Sequence, residues 1–224
     1  MAKVICVMGE SGSGKTTAMR NLDPQTTYYI DCDKKGLSWR GWRKQYQPSI
    51  NYTKTDFPQT VQKLLVWLDG KMLDAKNQPI LTGMTFKTVV IDTLNGIMVA
   101  DEMRRFKEKG YDKWQDLAQS VYDIVDYALT MREDITVIFL AHTQTDHDEN
   151  GYMFTRIKTN GKKLDKITLE SKFSTVLLAK NNNGVHVFET QANRSTAKTP
   201  MDAFKDQPEI ANDITEILKV LEDY

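Results

Sequence analysis

Short apolar runs alternate along the chain with stretches whose apolar residues recur at helical spacing, and this alternation predicts an α/β fold on a mostly parallel sheet. The runs expected as strands are Val4–Met8, Tyr28–Cys32, Thr88–Ile91, Thr136–Ala141, Thr175–Ala179 and Val185–Thr190. The first four are nearly all apolar, as strands covered on both faces should be. A helix is expected over Lys15–Leu22, stopped by Pro24. Asp56 is expected to cap a helix carrying Val61, Leu64, Leu65 and Leu68, closed by Gly70. Trp114, Leu117, Val121, Ile124, Val125 and Ala128 form a long stripe. Asp213 with Glu216 reads as a capping box before Ile214, Ile217, Leu218 and Leu221. These stripes are packing faces. The whole chain, 1–224, reads as one domain with irregular segments near 33–56 and 143–165.

Composition narrows the class. Of 224 residues, 40% are hydrophobic and 27% charged, which suits a soluble globular protein. Lys plus Arg and Asp plus Glu are both 30, so any nucleic-acid surface must be local. The apolar start reads as a strand rather than a leader, and no run approaches the ~20 apolar residues of a membrane span. Cys6 and Cys32 sit in runs read as neighbouring core strands and form neither a zinc pattern nor a disulfide framework. The expectation is a reduced, cytoplasmic protein with no membrane partner.

One motif is sharp. Gly9-Glu10-Ser11-Gly12-Ser13-Gly14-Lys15-Thr16 fits the P-loop pattern at every position, between a strand and a helical stretch. Its glycines let backbone N–H groups curl inward around phosphate oxygens. Lys15 is expected on the β- and γ-phosphates and the Thr16 hydroxyl on Mg²⁺, with Thr17 completing the binding segment. The cofactors implied are ATP and Mg²⁺. A bare Gly-rich turn is the alternative, and the context disfavours it.

Three strand ends supply further chemistry. Lys87-Thr88-Val89-Val90-Ile91-Asp92 delivers a carboxylate at the end of an apolar strand, so Asp92 is expected to hold Mg²⁺ through water. Hydrolysis also needs a group to orient or deprotonate water, and Thr93 rather than Glu follows Asp92. The base is therefore expected from the strand Tyr28-Tyr29-Ile30-Asp31-Cys32-Asp33, with Asp33 the first choice and Asp31 the second. His142, ending Val137–Ala141, can hydrogen-bond the γ-phosphate and report its loss to the following loop.

Taken together, these elements resemble the phage-type AAA/RecA-like P-loop ATPases, in the order P-loop, Asp33 strand, Asp92 strand, His142 strand. The basic stretch Gly161-Lys162-Lys163-Leu164, then Phe173–Leu178 and Ala197-Lys198-Thr199-Pro200, narrow the resemblance to the minimal RecA-core single-strand annealing proteins. It implies a 5-1-4-3-2 strand order, self-association into a ring or filament, and ATP-linked binding of single-stranded DNA. An Asp at position 33, where such proteins carry Glu, shortens the reach of the base by one methylene. The resemblance also implies a cation late in the chain that reaches a neighbouring subunit's γ-phosphate. Lys198 fits the position and Arg194 the chemistry.

Three basic segments are candidates for DNA. Lys34 to Tyr46 interleaves cations with Trp39 and Trp42, residues that could equally pack or stack on adenine. Arg104, Arg105 and Lys107 follow the Asp92 strand; Arg156, Lys158, Lys162 and Lys163 follow the His142 strand. Solvated charged faces are the bland reading. The expected activity is Mg²⁺-dependent ATP hydrolysis with single-stranded DNA in phage-type recombination, annealing or replication, alongside a single-strand-binding or replisome partner. The rivals are a small-molecule (nucleoside or nucleotide) kinase and a slow nucleotide switch.

Overall fold

The structure is a computed structural model that describes residues 1–147, 149–159 and 168–224, without the side chain of Tyr111. Lys162 and Lys163 lie outside the described residues.

The strands in chain order are β1 (Lys3–Gly9), β2 (Thr27–Asp31), β3 (Tyr52–Lys54), β4 (Thr88–Asp92), β5 (Thr136–His147), β6 (Met153–Ile157), β7 (Thr175–Asn182), β8 (Val185–Glu189) and β9 (Glu209–Ala211). Among the described residues they form one sheet ordered β3-β2-β4-β5-β1-β7-β8-β9, with β6 paired to the far end of β5. From β3 to β7 every pairing is parallel, and β8 and β9 add antiparallel strands at the edge. The order β7-β1-β5-β4-β2 is the expected 5-1-4-3-2 arrangement of the predicted strands. Cys6 and Cys32 are not on neighbouring strands, since β5 and β4 lie between β1 and β2. Both thiols are buried, which pushes their pKa values well up.

Alternate residues of each central strand feed two cores, as a sheet covered on both faces requires. Val4, Cys6, Met8, Ile30, Ile91, Val137 and Phe139 face α2 (Pro58–Leu68), α3 (Leu94–Arg104) and α4 (Tyr111–Leu129). Ile5, Val7, Tyr29, Val90, Ile138 and Leu140 face the segment after the P-loop, the 37–52 stretch and α5 (Ile214–Val220). The short helix α1 (Trp42–Gln45) lies within that stretch. Trp39 and Trp42 pack there against Tyr29, Tyr46 and Tyr52, so these aromatics serve the second core. Phe139 is fully buried, its ring 5.7 Å from that of Phe173. Phe139→Ala should lower unfolding stability by about 3–5 kcal/mol, read from urea denaturation.

Several local expectations are corrected. The segment after the P-loop is a single 3-10 turn, Thr17–Met19, with Arg20 and Leu22 closing further i to i−3 bonds, rather than a helix over Lys15–Leu22. β-branched Thr16 and Thr17 at its start and Pro24 at its end leave little room for propagation. Asp56 does not cap α2. Its carboxylate binds Arg104 at 2.9 Å and Lys34 at 2.5 Å, and Pro58 opens the helix instead. Asp213 caps α5 through Thr215, but Glu216 pairs with Lys219 at 2.8 Å, so the box is half made. The 143–165 segment is not wholly irregular: β5 runs on to His147 and turns back as β6, in the register Thr143↔Ile157 to His147↔Met153. Likewise β3 and α1 lie within 33–56.

Candidate active site

The sheet brings four chemical strand ends to one edge. Gly9 of β1 is level with His142 of β5 and Ala179 of β7, and Asp92 of β4 is level with Leu140 of β5 and Asp31 of β2. The P-loop thus emerges on the same edge as the Asp92, Asp33 and His142 positions.

Gly12 and Gly14 hold φ of 78° and 97°, the left-handed values a backbone nest needs. A side chain at Gly14 would also come within 2.9 Å of His186 Nδ1, which lies 3.1 Å from the Ser13 carbonyl oxygen. The Lys15 ammonium donates to the carbonyls of Gly9, at 2.8 Å, and Glu10, at 2.7 Å. Burial pulls its pKa down to about 8, against the Asp92 charge, which pushes it up.

Below the loop, the Thr16 hydroxyl donates to Asp92 Oδ2 at 2.8 Å, and Tyr29 donates to the same oxygen at 2.7 Å. Asp92 Oδ1 is buried with no partner. Burial raises the Asp92 pKa, opposed by the bonds from Tyr29 and Thr16. An orphaned carboxylate oxygen beside a hydroxyl is a hard-oxygen donor set that fits Mg²⁺, an ion that takes one or two carboxylates and shares the substrate's phosphates. Among the described residues no group of three or more His, Cys, Asp or Glu side chains forms a metal cage. Ser13 Oγ and Asn212 Nδ2 are buried and unpartnered beside the same loop.

The two candidate bases separate clearly. Asp31 Oδ2 accepts from the Gly36 N–H at 2.8 Å and from Tyr52 at 2.6 Å, and the residue is 1% exposed, so it anchors the loop after β2. Asp33 Oδ1 accepts from Thr93 at 2.9 Å, and Thr93 Oγ1 in turn accepts from the Gly96 N–H to cap α3. A Cβ on Gly96 would sit 2.5 Å from Asp33 Oδ1, so glycine there is needed for the approach. The Asp33 and Asp92 segments are therefore fastened through Thr93.

The chain's residues 1–201 match the family model described as an AAA domain. The chain belongs to this AAA domain family. No curated protein matches it. Among solved structures, the P4 protein from bacteriophage phi6 in complex with ADP is similar with a TM-score of 0.40 and 15% identity. The match covers 84% of this chain and 55% of the P4 chain, so this AAA domain spans about half the length of that protein. The resemblance to AAA/RecA-like P-loop ATPases drawn from the motifs holds.

The remaining predicted positions of this AAA domain fall as follows. His142 is half-buried. Burial lowers its pKa, helped by the Lys15 charge. Its backbone N–H donates to Asn95 Oδ1 at 2.7 Å, and its carbonyl accepts from the Lys158 backbone N–H at 2.7 Å. Asn95 Nδ2 returns to the Lys158 carbonyl at 2.8 Å, so one amide ties α3, β5 and the end of β6 together. Lys198 pairs with Val176 on β7, at the level of Cys6 and thus three residues short of the P-loop edge, and Arg194 is exposed. The Arg194 carbonyl accepts from the Thr155 N–H at 2.8 Å, beside the cavity that Thr155 shares with Glu10 to Ser13. Among the DNA candidates, Arg104 is taken up by Asp56 and stacks over Phe57 at 4.0 Å, and Arg105 pairs with Glu108 and Asp116. Arg156 lies 3.3 Å from Asp146, while Lys107 and Lys158 are exposed. No described helix is long and apolar enough to cross a membrane.

Sequence reasoning missed Tyr29, Asn95, His186 and Lys35 as site residues. Tyr29 read as one more apolar strand position, and Asn95 carries no local signal. Lys35 was absorbed into a basic run, yet its ammonium is 2.5 Å from Asp33 Oδ2. Burial works against that charge, but the hydrogen bond to Asp33 and the nearby carboxylates outweigh it and raise the Lys35 pKa.

Proposed function

We propose that this AAA domain is a Mg²⁺-dependent ATPase that couples hydrolysis to single-stranded DNA during phage-type recombination, annealing or replication. The observation that carries the reading is Asp92, whose Oδ2 takes the Thr16 and Tyr29 hydroxyls while its buried Oδ1 stays free. Thr16 and Asp92 would hold Mg²⁺, which when bound neutralises charge on the β- and γ-phosphates. The P-loop N–H groups and Lys15 orient the triphosphate. Asp33 positions a water in line with the γ-phosphorus; the water oxygen bonds to phosphorus, the bond to the β–γ bridging oxygen breaks, and a water proton passes to the carboxylate. Family membership favours this reading over a small-molecule kinase.

The DNA half of the reading rests on the β5–β6 hairpin. It grows directly out of the His142 strand, carries Arg156, ends at Lys158, and is tied back to His142 through Asn95. A change at the phosphate end thus has a mechanical path to this hairpin and to the exposed Lys158 at its end, although Asp146, Asp148 and Glu149 offset its two cations. Self-association into a ring or filament belongs to the same reading, with Lys198 or Arg194 reaching a neighbour's phosphates. ATP turnover with Mg²⁺ should rise on adding single-stranded DNA, and the stimulation should fade as salt rises. Turnover indifferent to DNA, with no DNA retained at low salt, would discard the DNA role.

A further inference from the structure

Asp33 is the carboxylate assigned to the water, yet both of its oxygens are engaged: Oδ1 by Thr93 and Oδ2 by the Lys35 ammonium at 2.5 Å. The loop that carries Lys35 is pinned on each side of it. Lys34, at φ 57°, binds Asp56, and Gly36, at φ 84°, donates its N–H to the buried Asp31. Two residues on, Ser38 Oγ meets Thr17 Oγ1 of the phosphate segment at 3.1 Å. The backbone is thereby fixed over the site, while the Lys35 side chain is 52% exposed and can swing. Its charge acts on Lys15, Asp92 and His142, which places it at the phosphate end of the site rather than on a remote surface.

A triphosphate entering this site brings several negative charges into reach of that one tethered cation. Exchanging a carboxylate for a phosphate oxygen keeps the ammonium in a charge-assisted hydrogen bond throughout, so the exchange costs little. We propose that Lys35 leaves Asp33 for the terminal phosphate of a bound nucleoside triphosphate, so that the same subunit supplies a cationic γ-phosphate contact and Asp33 Oδ2 is released to the attacking water. The inference rests on the ATPase reading and adds to it a residue that senses the third phosphate.

The test compares Mg²⁺-ATP and Mg²⁺-ADP affinities, by calorimetry, for the wild type, Lys35→Met, Lys35→Gln and Lys35→Arg. Loss of one charge-assisted contact should cut the preference for ATP over ADP by roughly ten- to a hundredfold in Lys35→Met and Lys35→Gln, with ADP affinity unchanged. Lys35→Arg, which keeps the charge, should retain most of the preference. A preference unchanged in both neutral variants, or an equal loss for both nucleotides, overturns the proposal. Two neutral variants are used so that a folding defect in one does not decide the result. If the wild type binds neither nucleotide, the ATPase reading itself fails; if it binds and hydrolyses ATP while the neutral variants keep their preference, only the role of Lys35 fails.

Discussion

Lys15→Ala should weaken Mg²⁺-ATP binding by roughly a hundred- to a thousandfold and remove turnover, because two charge-assisted phosphate contacts disappear at once. Its ammonium rests on the Gly9 and Glu10 carbonyls, neutral acceptors that a phosphate oxygen readily replaces. Burial has pulled its pKa to about 8. A bound polyphosphate raises that value, because it favours the charged form. The contribution of Lys15 to affinity is therefore fully present below about pH 8 and is lost as pH rises from there toward the higher pKa of the complex. Wild-type affinity should be level between pH 7 and 8 and then fall by up to about tenfold per pH unit. Lys15→Ala should show no such fall. Fluorescence titration with a labelled nucleotide across that range reads both effects. Near-wild-type affinity in Lys15→Ala would sink the assignment of this loop as the phosphate grip.

The legible parts of this fold were those with strong local periodicity. The P-loop, the four buried strands and the α4 stripe all announce themselves, and family order then supplies the neighbours that periodicity cannot. What failed to show was structure held by distant partners. The second half of β5 reads Thr143-Gln144-Thr145-Asp146-His147, polar on both faces, because its partner β6 satisfies the backbone while little is buried. Asp56 looked like a cap from its neighbours alone. Arg104, 48 residues away, claims the carboxylate instead. The same reason separates the two halves of the site. Asp92 is legible because a carboxylate ending an apolar strand is a local signal. Tyr29, which donates to it across 63 residues, is not. The sequence ranks Asp33 before Asp31 without showing the reason, which is that the Tyr52 hydroxyl and the Gly36 N–H take up Asp31.

That ranking has a large kinetic consequence. Asp33→Asn should lower kcat by about a hundred- to ten-thousandfold, the range that a positioned general base contributes, while ATP affinity is retained. The amide can still accept from Thr93, so the capped start of α3 and the packing under Gly96 are preserved. The carboxylate's charge and proton affinity are removed, and with them the acceptor of the Lys35 ammonium, which is then free for the phosphates. Asp31→Asn should behave differently. Asp31 is buried and its Oδ2 takes two donors; an amide oxygen there can accept both, but without the charge that strengthens them, so the loop carrying Asp33 and Lys35 is held less firmly. The outcome expected for Asp31→Asn is a lower melting temperature and a weaker grip on nucleotide together. Single-turnover hydrolysis under saturating ATP, paired with thermal denaturation, separates the two variants. Unchanged single-turnover rates in Asp33→Asn would show that another group positions the water, and the geometry would then leave His142, half-buried on the strand end beside the P-loop, as the residue to replace next.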